Sequence, residues 1–318
     1  MKERLVEIDI LQGMAMLLVV LGHHWLDFMP DWYHHLHYYL YLFHMPLFIF
    51  ISGFLIRYSY KGVDNLNEYK TYVFKRVKKF IPMYFFVGIL CIFLSTDIKN
   101  PLVETYDFIN LMIDPKASPA TFLWYIYMLF VYYCLAPLLF RLSKGLLTFI
   151  FILSILGFIF PSENSLFCID YFTKYSVFFL FGVLVASRYD DFRCFLKKTY
   201  LTFLLFFIFL SIFHFNIDYC LTLEKVIPWI AIPAFGCITL WVHNSYFLCK
   251  FFTYISIHCF SIYLFHMFFV QAIAVVIEKN CSNFSTLHYI LYLMMSIFVS
   301  IMCSSKIYSL LKRILPLD

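Results

Sequence analysis

Three histidines, His23, His44 and His266, stand in or at the edge of long apolar stretches. At bilayer depth an imidazole must find a partner, a cavity or water, so it is read first as part of a functional site. Its neutral form is basic enough near pH 7 to take a proton from a hydroxyl. Tyr263 lies one turn before His266 and would share its polar pocket. Around His44 the run FHMPLFIFISGFL, Phe43 to Leu55, adds Pro46, which has no amide hydrogen to donate. The Leu42 carbonyl is therefore released beside His44, and a bend is expected there. Ser52 and Gly53 follow, small enough for a neighbouring helix to approach closely. Two of these histidines also have a plainer reading: His23 with His24 and Trp25 as an interfacial group, and His44 as a satisfied core residue.

The elements that must position these groups are membrane helices. Hydrophobic residues make up 63% of the 318, charged ones 14%, and the mean hydropathy is +0.82, far from soluble domains, which are about half apolar and about a quarter charged. Windows near the ~20 residues needed to span a bilayer run from Ile8 to Leu26, Leu36 to Ile56, Phe80 to Thr96, Thr121 to Leu142, Leu146 to Pro161, Tyr171 to Ser187, Tyr200 to Asn216, Val226 to Tyr246, Ile257 to Ile277 and Leu287 to Leu311. The expectation is an all-α polytopic membrane protein, about ten transmembrane helices in one bundle, residues 1–318 forming a single domain with no separate extracytoplasmic one. The first window follows Lys2 and Arg4 as a signal peptide would, but its apolar core leads into Gly22, His23, His24 and Trp25 without a small-x-small site, so it is expected to be retained. With the N-terminus inside, the 24 Lys and Arg fall on the cytoplasmic side apart from Lys99, Lys116, Lys174, Lys225 and Lys279. That asymmetry fits both termini being cytoplasmic.

Further residues follow from this frame. On the first helix Asp9, Gln12, Met16, Val20 and His23 recur at steps of three and four and share a face. Asp9, at the far end from His23, reads as a structural partner of Arg4 or Arg76. The next outer loop carries Asp31, His34, His35 and His37, without the Cys or the spacing of a zinc site, so no metal is assigned. The inner segment ending in Lys75, Arg76, Lys78 and Lys79, with Arg57 before it, is the most basic part of the chain. It has two readings: topology alone, or a site for an anionic cosubstrate whose phosphates meet cations near a helix N-terminus. Asp97 to Ala120 reads as a polar outer loop, and Trp124 and Tyr125 beyond it as an aromatic belt or a stacking surface for a sugar ring. The net charge of +5 is spread over several loops, unlike the single basic face of a nucleic-acid reader. Ten cysteines give no close-paired motif, and a disulfide among Cys168, Cys220 and Cys281 stays open.

Taken in order, Arg4, Asp9, Gly13, VLGH ending at His23, FHMPLFIFISGFL, FKRVKKFIPMY from Phe74 to Tyr84, LWY at Leu123 to Tyr125, FFLFG at Phe178 to Gly182 and SIYLFH at Ser261 to His266 resemble the type 3 membrane acyltransferases, within them the fucose 4-O-acetylase-like group. The resemblance implies transfer of an acetyl group from acetyl-CoA to a hydroxyl of a cell-envelope carbohydrate, in the inner membrane of a bacterium. Acetyl-CoA would bind from the cytoplasm, its phosphates near Lys75, Arg76, Lys79 and Arg57 and its pantetheine arm entering the bundle. The acceptor would enter near His44, Trp124 and Tyr125. His23 is the expected general base, with His44 or Tyr263 donating to the thioester oxygen. Attack by the hydroxyl directly or through an acyl-imidazole both stay open, as does a homo-oligomer. The rival from another class is a transporter or flippase of a neutral or lipid-linked sugar. Ion-driven carriers usually place carboxylates inside the membrane, and no Asp or Glu falls mid-span here.

Overall fold

The computed structural model describes residues 4–26, 29–60, 62–95, 101–216, 221–280 and 285–314. Among these there is no strand. The α-helices in chain order are α1 (Val6–Leu21), α2 (Asp31–Ser59), α3 (Leu66–Ser95), α4 (Pro101–Ile113), α5 (Trp124–Leu139), α6 (Lys144–Ile159), α7 (Ile169–Ser187), α8 (Tyr189–Lys198), α9 (Tyr200–Asn216), α10 (Leu221–Val242), α11 (Tyr246–Ile257), α12 (Cys259–Asn280) and α13 (Thr286–Ile314). Lys2, Lys61, Lys99, Cys220 and Cys281 lie outside the described residues, while Cys168 is a buried free thiol.

Among the described residues, seven helices are long and apolar enough to cross a bilayer, over Asp31–Ser59, Leu66–Ser95, Thr121–Leu139, Leu166–Ser187, Leu223–Val242, Cys259–Lys279 and Thr286–Leu311. They correspond to seven of the expected windows. The pair α8 and α9, bent by 72° at their junction, makes an eighth if it crosses as one broken span. The two remaining windows are α1 and α6, of 16 residues each. At 1.5 Å per residue that is about 24 Å, short of the ~30 Å hydrocarbon layer. By length and composition, seven or eight of the expected ten spans are supported among the described residues.

The chain divides into two compact units, one comprising Ser52–Ser187 and the other Glu3–Ile51 with Arg188–Leu315. In the second, α1 is the central helix, its residues buried on nearly all sides and packed on α10, α11, α12 and α13. Its closest partner is α11, an element the sequence reading missed. A Cβ on Gly13 would stand 2.2 Å from the Phe252 carbonyl oxygen, so only glycine permits this approach. The face recognised on α1 meets the same helix: Ser256 donates to Gln12 Oε1 at 2.8 Å and lies 3.4 Å from Asp9 Oδ1. Asp9 also pairs with Arg4, and Glu7 with Arg193 of α8. Both carboxylates sit in the first turn of α1, where the helix dipole favours negative charge.

In the first unit α3 and α5 pack together, as do α6 and α7. The expected outer loop after α3 is largely helical. α4 folds back on α3, with the Tyr84 hydroxyl donating to the Leu111 carbonyl at 2.6 Å and Leu111 filling the space a side chain on Gly88 would need. The start of α3 is fixed by a reciprocal cap. Asn65 Oδ1 accepts from Glu68 N, and the Glu68 carboxylate accepts from Asp64 N and Asn65 Nδ2.

Candidate active site

His23 lies beyond the helix that was expected to carry it. The α1 ladder ends with Gly22 N bonded to the Leu18 carbonyl at 2.9 Å and His23 N to Val20 at 3.1 Å, and the chain turns away. Freed from the helix surface, the half-buried His23 ring meets His266 of α12 with ring centres 5.0 Å apart. Tyr41 of α2 stands on its other flank at 6.4 Å and reaches His44 at 4.8 Å. Three imidazoles far apart in sequence thus gather at the end of α1, with Tyr263 5.9 Å from His266.

The deeper rings are oriented by backbone carbonyls. His44 is 1% exposed and its Nδ1 lies 2.6 Å from the Leu40 carbonyl oxygen. His266 is fully buried, Nδ1 being 3.0 Å from Ile262 O and 2.9 Å from Tyr263 O. A carbonyl only accepts, so in each ring Nδ1 carries the hydrogen and Nε2 the lone pair. This changes the role expected for His44. As a neutral imidazole it presents an acceptor through Nε2, and it cannot donate to an oxyanion without first gaining a proton. α2 runs through Pro46 as one helix, so the Leu42 carbonyl has no amide donor one turn on, and the His44 ring is held by the Leu40 carbonyl.

His24 shows how different two adjacent histidines can be. It is fully buried, with Nδ1 2.9 Å from Val20 O and Nε2 2.8 Å from Ser296 Oγ. Both nitrogens are engaged and no position is left for a substrate. Asp9 is 14 positions before His23, roughly 20 Å along the helix, and its oxygens face Arg4 and Ser256. It belongs to the packing of α1, not to a catalytic dyad.

The histidines of the expected outer loop belong to the first turns of α2, which begins at Asp31, five residues before the expected Leu36. His34 and His35 are exposed, His34 meeting Trp25 edge-on at 6.0 Å, and His37 lies obliquely on Tyr41 with centres 4.6 Å apart. Trp25, exposed at 54%, meets His37 edge-on at 5.4 Å. Tyr41 was not singled out from sequence, His37 was weighed there only as part of a loop, and Trp25 only as an interfacial neighbour. The spacing of His37, Tyr41 and His44, four and then three residues, is that of one helical face and becomes readable once α2 starts at Asp31.

In the other unit, Lys75 and Arg76 line a polar cleft of about 750 Å³ at the first turns of α3, with Tyr60, Asn65, Thr71 and Tyr72 among its walls. Arg76 lies over the rings of Tyr72 and Tyr133 at 4.9 and 5.1 Å, and its Nε is buried without a hydrogen-bond partner among the described residues. Glu68 also borders the cleft, but both its oxygens are held in the cap of α3. Cations, a helix N-terminus and aromatic faces together suit an anionic ligand with a planar ring. The other two expected cations are placed apart from this lining. Lys79 is exposed beside the Phe80 ring, and Arg57 lies over Phe140 and bonds to Ser187 Oγ at 3.2 Å.

Trp124 stands among Tyr171 and Tyr175, with ring centres 4.5 and 5.5 Å away. Tyr125, expected beside it as a stacking surface, is turned inside instead. It is 4% exposed and its hydroxyl is 2.7 Å from Ser52 Oγ. Next to that pair, a Cβ on Gly53 would be 2.0 Å from the Phe179 carbonyl oxygen. Ser52 and Gly53 thus join the end of α2 to α5 and α7.

A family model described as an acyltransferase domain matches residues 5–305. No curated protein and no solved structure matches the chain. The match takes in α1, all three imidazoles and the basic cleft, and the chain belongs to the type 3 acyltransferase family.

Proposed function

We propose that this membrane acyltransferase moves an acetyl group from acetyl-CoA to a hydroxyl of a cell-envelope carbohydrate, in the plasma membrane of a bacterium. The observation that carries the reading is the gathering of His44 and His266 with a partly buried ring, His23, which no backbone group among the described residues restrains. His23 takes the proton of the acceptor hydroxyl. The oxygen then bonds to the thioester carbonyl carbon, the carbon–sulfur bond breaks, and the thiolate leaves with the proton held by His23. Tyr263 is the hydroxyl suited to stabilise the oxyanion, since neutral His44 and His266 offer lone pairs on Nε2. Those lone pairs serve to accept from the acceptor's other hydroxyls or from the protonated base. Lys75 and Arg76 suit the phosphates of coenzyme A and the neighbouring tyrosines its adenine.

The test is transfer of labelled acetyl from acetyl-CoA to envelope glycans by membranes containing the chain. Label on glycan that disappears in His23→Ala is expected. Label that persists undiminished in His23→Ala removes the base but leaves the transfer. Failure to label any alcohol, with saturable sugar export by the same membranes, replaces the transferase by a carrier.

A further inference from the structure

The imidazoles around His23 are joined by ring-to-ring contacts to exposed aromatic side chains. Trp25 is 54% and Tyr41 43% exposed, whereas His44 is 1% exposed and His266 fully buried, with His23 and His37 between these extremes. The rings are in sequence: Trp25 edge-on to His37 at 5.4 Å, His37 tilted against Tyr41 at 4.6 Å, Tyr41 flanking His44 at 4.8 Å and His23 at 6.4 Å. Gly22 keeps this arrangement open, because a Cβ there would come within 3.3 Å of Tyr41 Cε2. A tryptophan serving only as a membrane anchor needs no such connection to buried imidazoles. By contrast, Trp124 is packed among Tyr171 and Tyr175, and Tyr125 is buried.

We infer that Trp25, His37 and Tyr41 form the acceptor platform, on which the pyranose ring of a sugar lies with one hydroxyl turned to His23. This rests on the transferase reading given above. A pyranose has an apolar face of C–H groups that packs on the negative face of an aromatic ring, while its hydroxyls project sideways toward polar neighbours. The platform supplies both kinds of partner: exposed Trp and Tyr rings for the C–H face, and imidazole nitrogens for the hydroxyls. A long-chain alcohol would require an unbroken apolar slot, which a wall interrupted by three imidazoles does not provide.

The experiment uses the full chain in lipid nanodiscs and two readouts. The first is KM for a methyl pyranoside acceptor against KM for acetyl-CoA. The second is tryptophan emission titrated with the same methyl pyranosides in the absence of acetyl-CoA. Trp25→Leu is expected to raise the acceptor KM at least about tenfold, about 1.4 kcal/mol, to leave the acetyl-CoA KM unchanged, and to remove the saturable emission change. Trp25→Phe, which keeps a ring, retains most of the acceptor affinity. Trp241→Leu, on an exposed residue of α10, is the control for emission. If wild-type protein acetylates a sugar while Trp25→Leu and Tyr41→Leu leave the acceptor KM and the emission response unaltered, the platform is overturned and the transferase reading stands. If the wild type binds pyranosides through Trp25 but transfers nothing, the platform stands and the transferase reading falls. Absence of both overturns both.

Discussion

At the end of α1 two of the three imidazoles are fixed by backbone carbonyls, whereas in the cleft at the start of α3 the cations are carried on long side chains near the surface. Leu40, Ile262 and Tyr263 carbonyls set the tautomers of His44 and His266. Lys75 is exposed, and Arg76 is steadied by the faces of Tyr72 and Tyr133. Proton transfer depends on which nitrogen faces the substrate, to within a few tenths of an ångström. Holding a phosphate depends mainly on the number of charges nearby, which flexible cations supply without fixed geometry. The comparison teaches that substitutions among the imidazoles should act on rate, and those in the cleft on donor affinity and its salt dependence.

The sharpest way to break that distinction is His23→Ala. Loss of a general base costs typically about 10²–10⁴ in rate, so transfer per folded molecule should fall in that range with the acetyl-CoA KM little changed. An equal fall in donor affinity would show that His23 belongs to binding. Next in size is His44→Asn, whose amide can still donate to Leu40 but brings no imidazole lone pair. A loss of about tenfold to a hundredfold in kcat is expected, below the full effect of the base. If the rate is unchanged, His44 is a core residue and the site contains two working imidazoles, not three.

Arg76→Ala should act on the other side of the comparison. One charge-assisted bond is worth about 1.5–3 kcal/mol, so the acetyl-CoA KM should rise roughly tenfold to a hundredfold while kcat holds. The wild-type KM should climb as salt screens the cleft, and climb less in the variant. Arg76→Lys should recover only part of the loss, since a point charge replaces a planar fork stacked on two tyrosines. A kcat effect as large as that of His23→Ala would erase the division between the two regions.

How much of this was legible in sequence varied with the physics involved. The ladder of apolar windows and the cost of burying imidazole gave the helical class and singled out His23, His44 and His266. Helix ends were harder, because several are set by packing instead of by Gly or Pro. α11 runs almost directly into α12, with only His258 between them, and apolar composition continues across the break. α2 extends back to Asp31 through histidines that resembled a loop, which hid the shared face of His37, Tyr41 and His44. The difference between Trp25 and Trp124 was unreadable, since both are tryptophans beside apolar helices and only tertiary contacts distinguish an open ring from a packed one. The tautomer of His44 was likewise invisible until Leu40 was seen to accept its hydrogen.

The smallest expected effect on catalysis is also the most discriminating control, and it concerns His24. Adjacent to the proposed base and identical in type, His24 would be chemically equivalent to it if position in sequence decided function. Its two nitrogens instead close a bridge between the Val20 carbonyl and Ser296 of α13. Replacing it with Ala leaves the Ser296 hydroxyl buried without that partner, a penalty of about 1–3 kcal/mol, and opens a cavity beside Tyr292. His24→Ala should therefore lower the unfolding temperature in detergent while the surviving folded fraction keeps kcat within about twofold of wild type. Ser296→Ala should destabilise less, because the buried ring retains its bond to Val20. If His24→Ala instead abolished transfer without loss of stability, the engaged nitrogens would have to be released during turnover. The assignment of the base to His23, which rests on its being the one of the pair whose ring nitrogens are not engaged by hydrogen bonds among the described residues, would then fail.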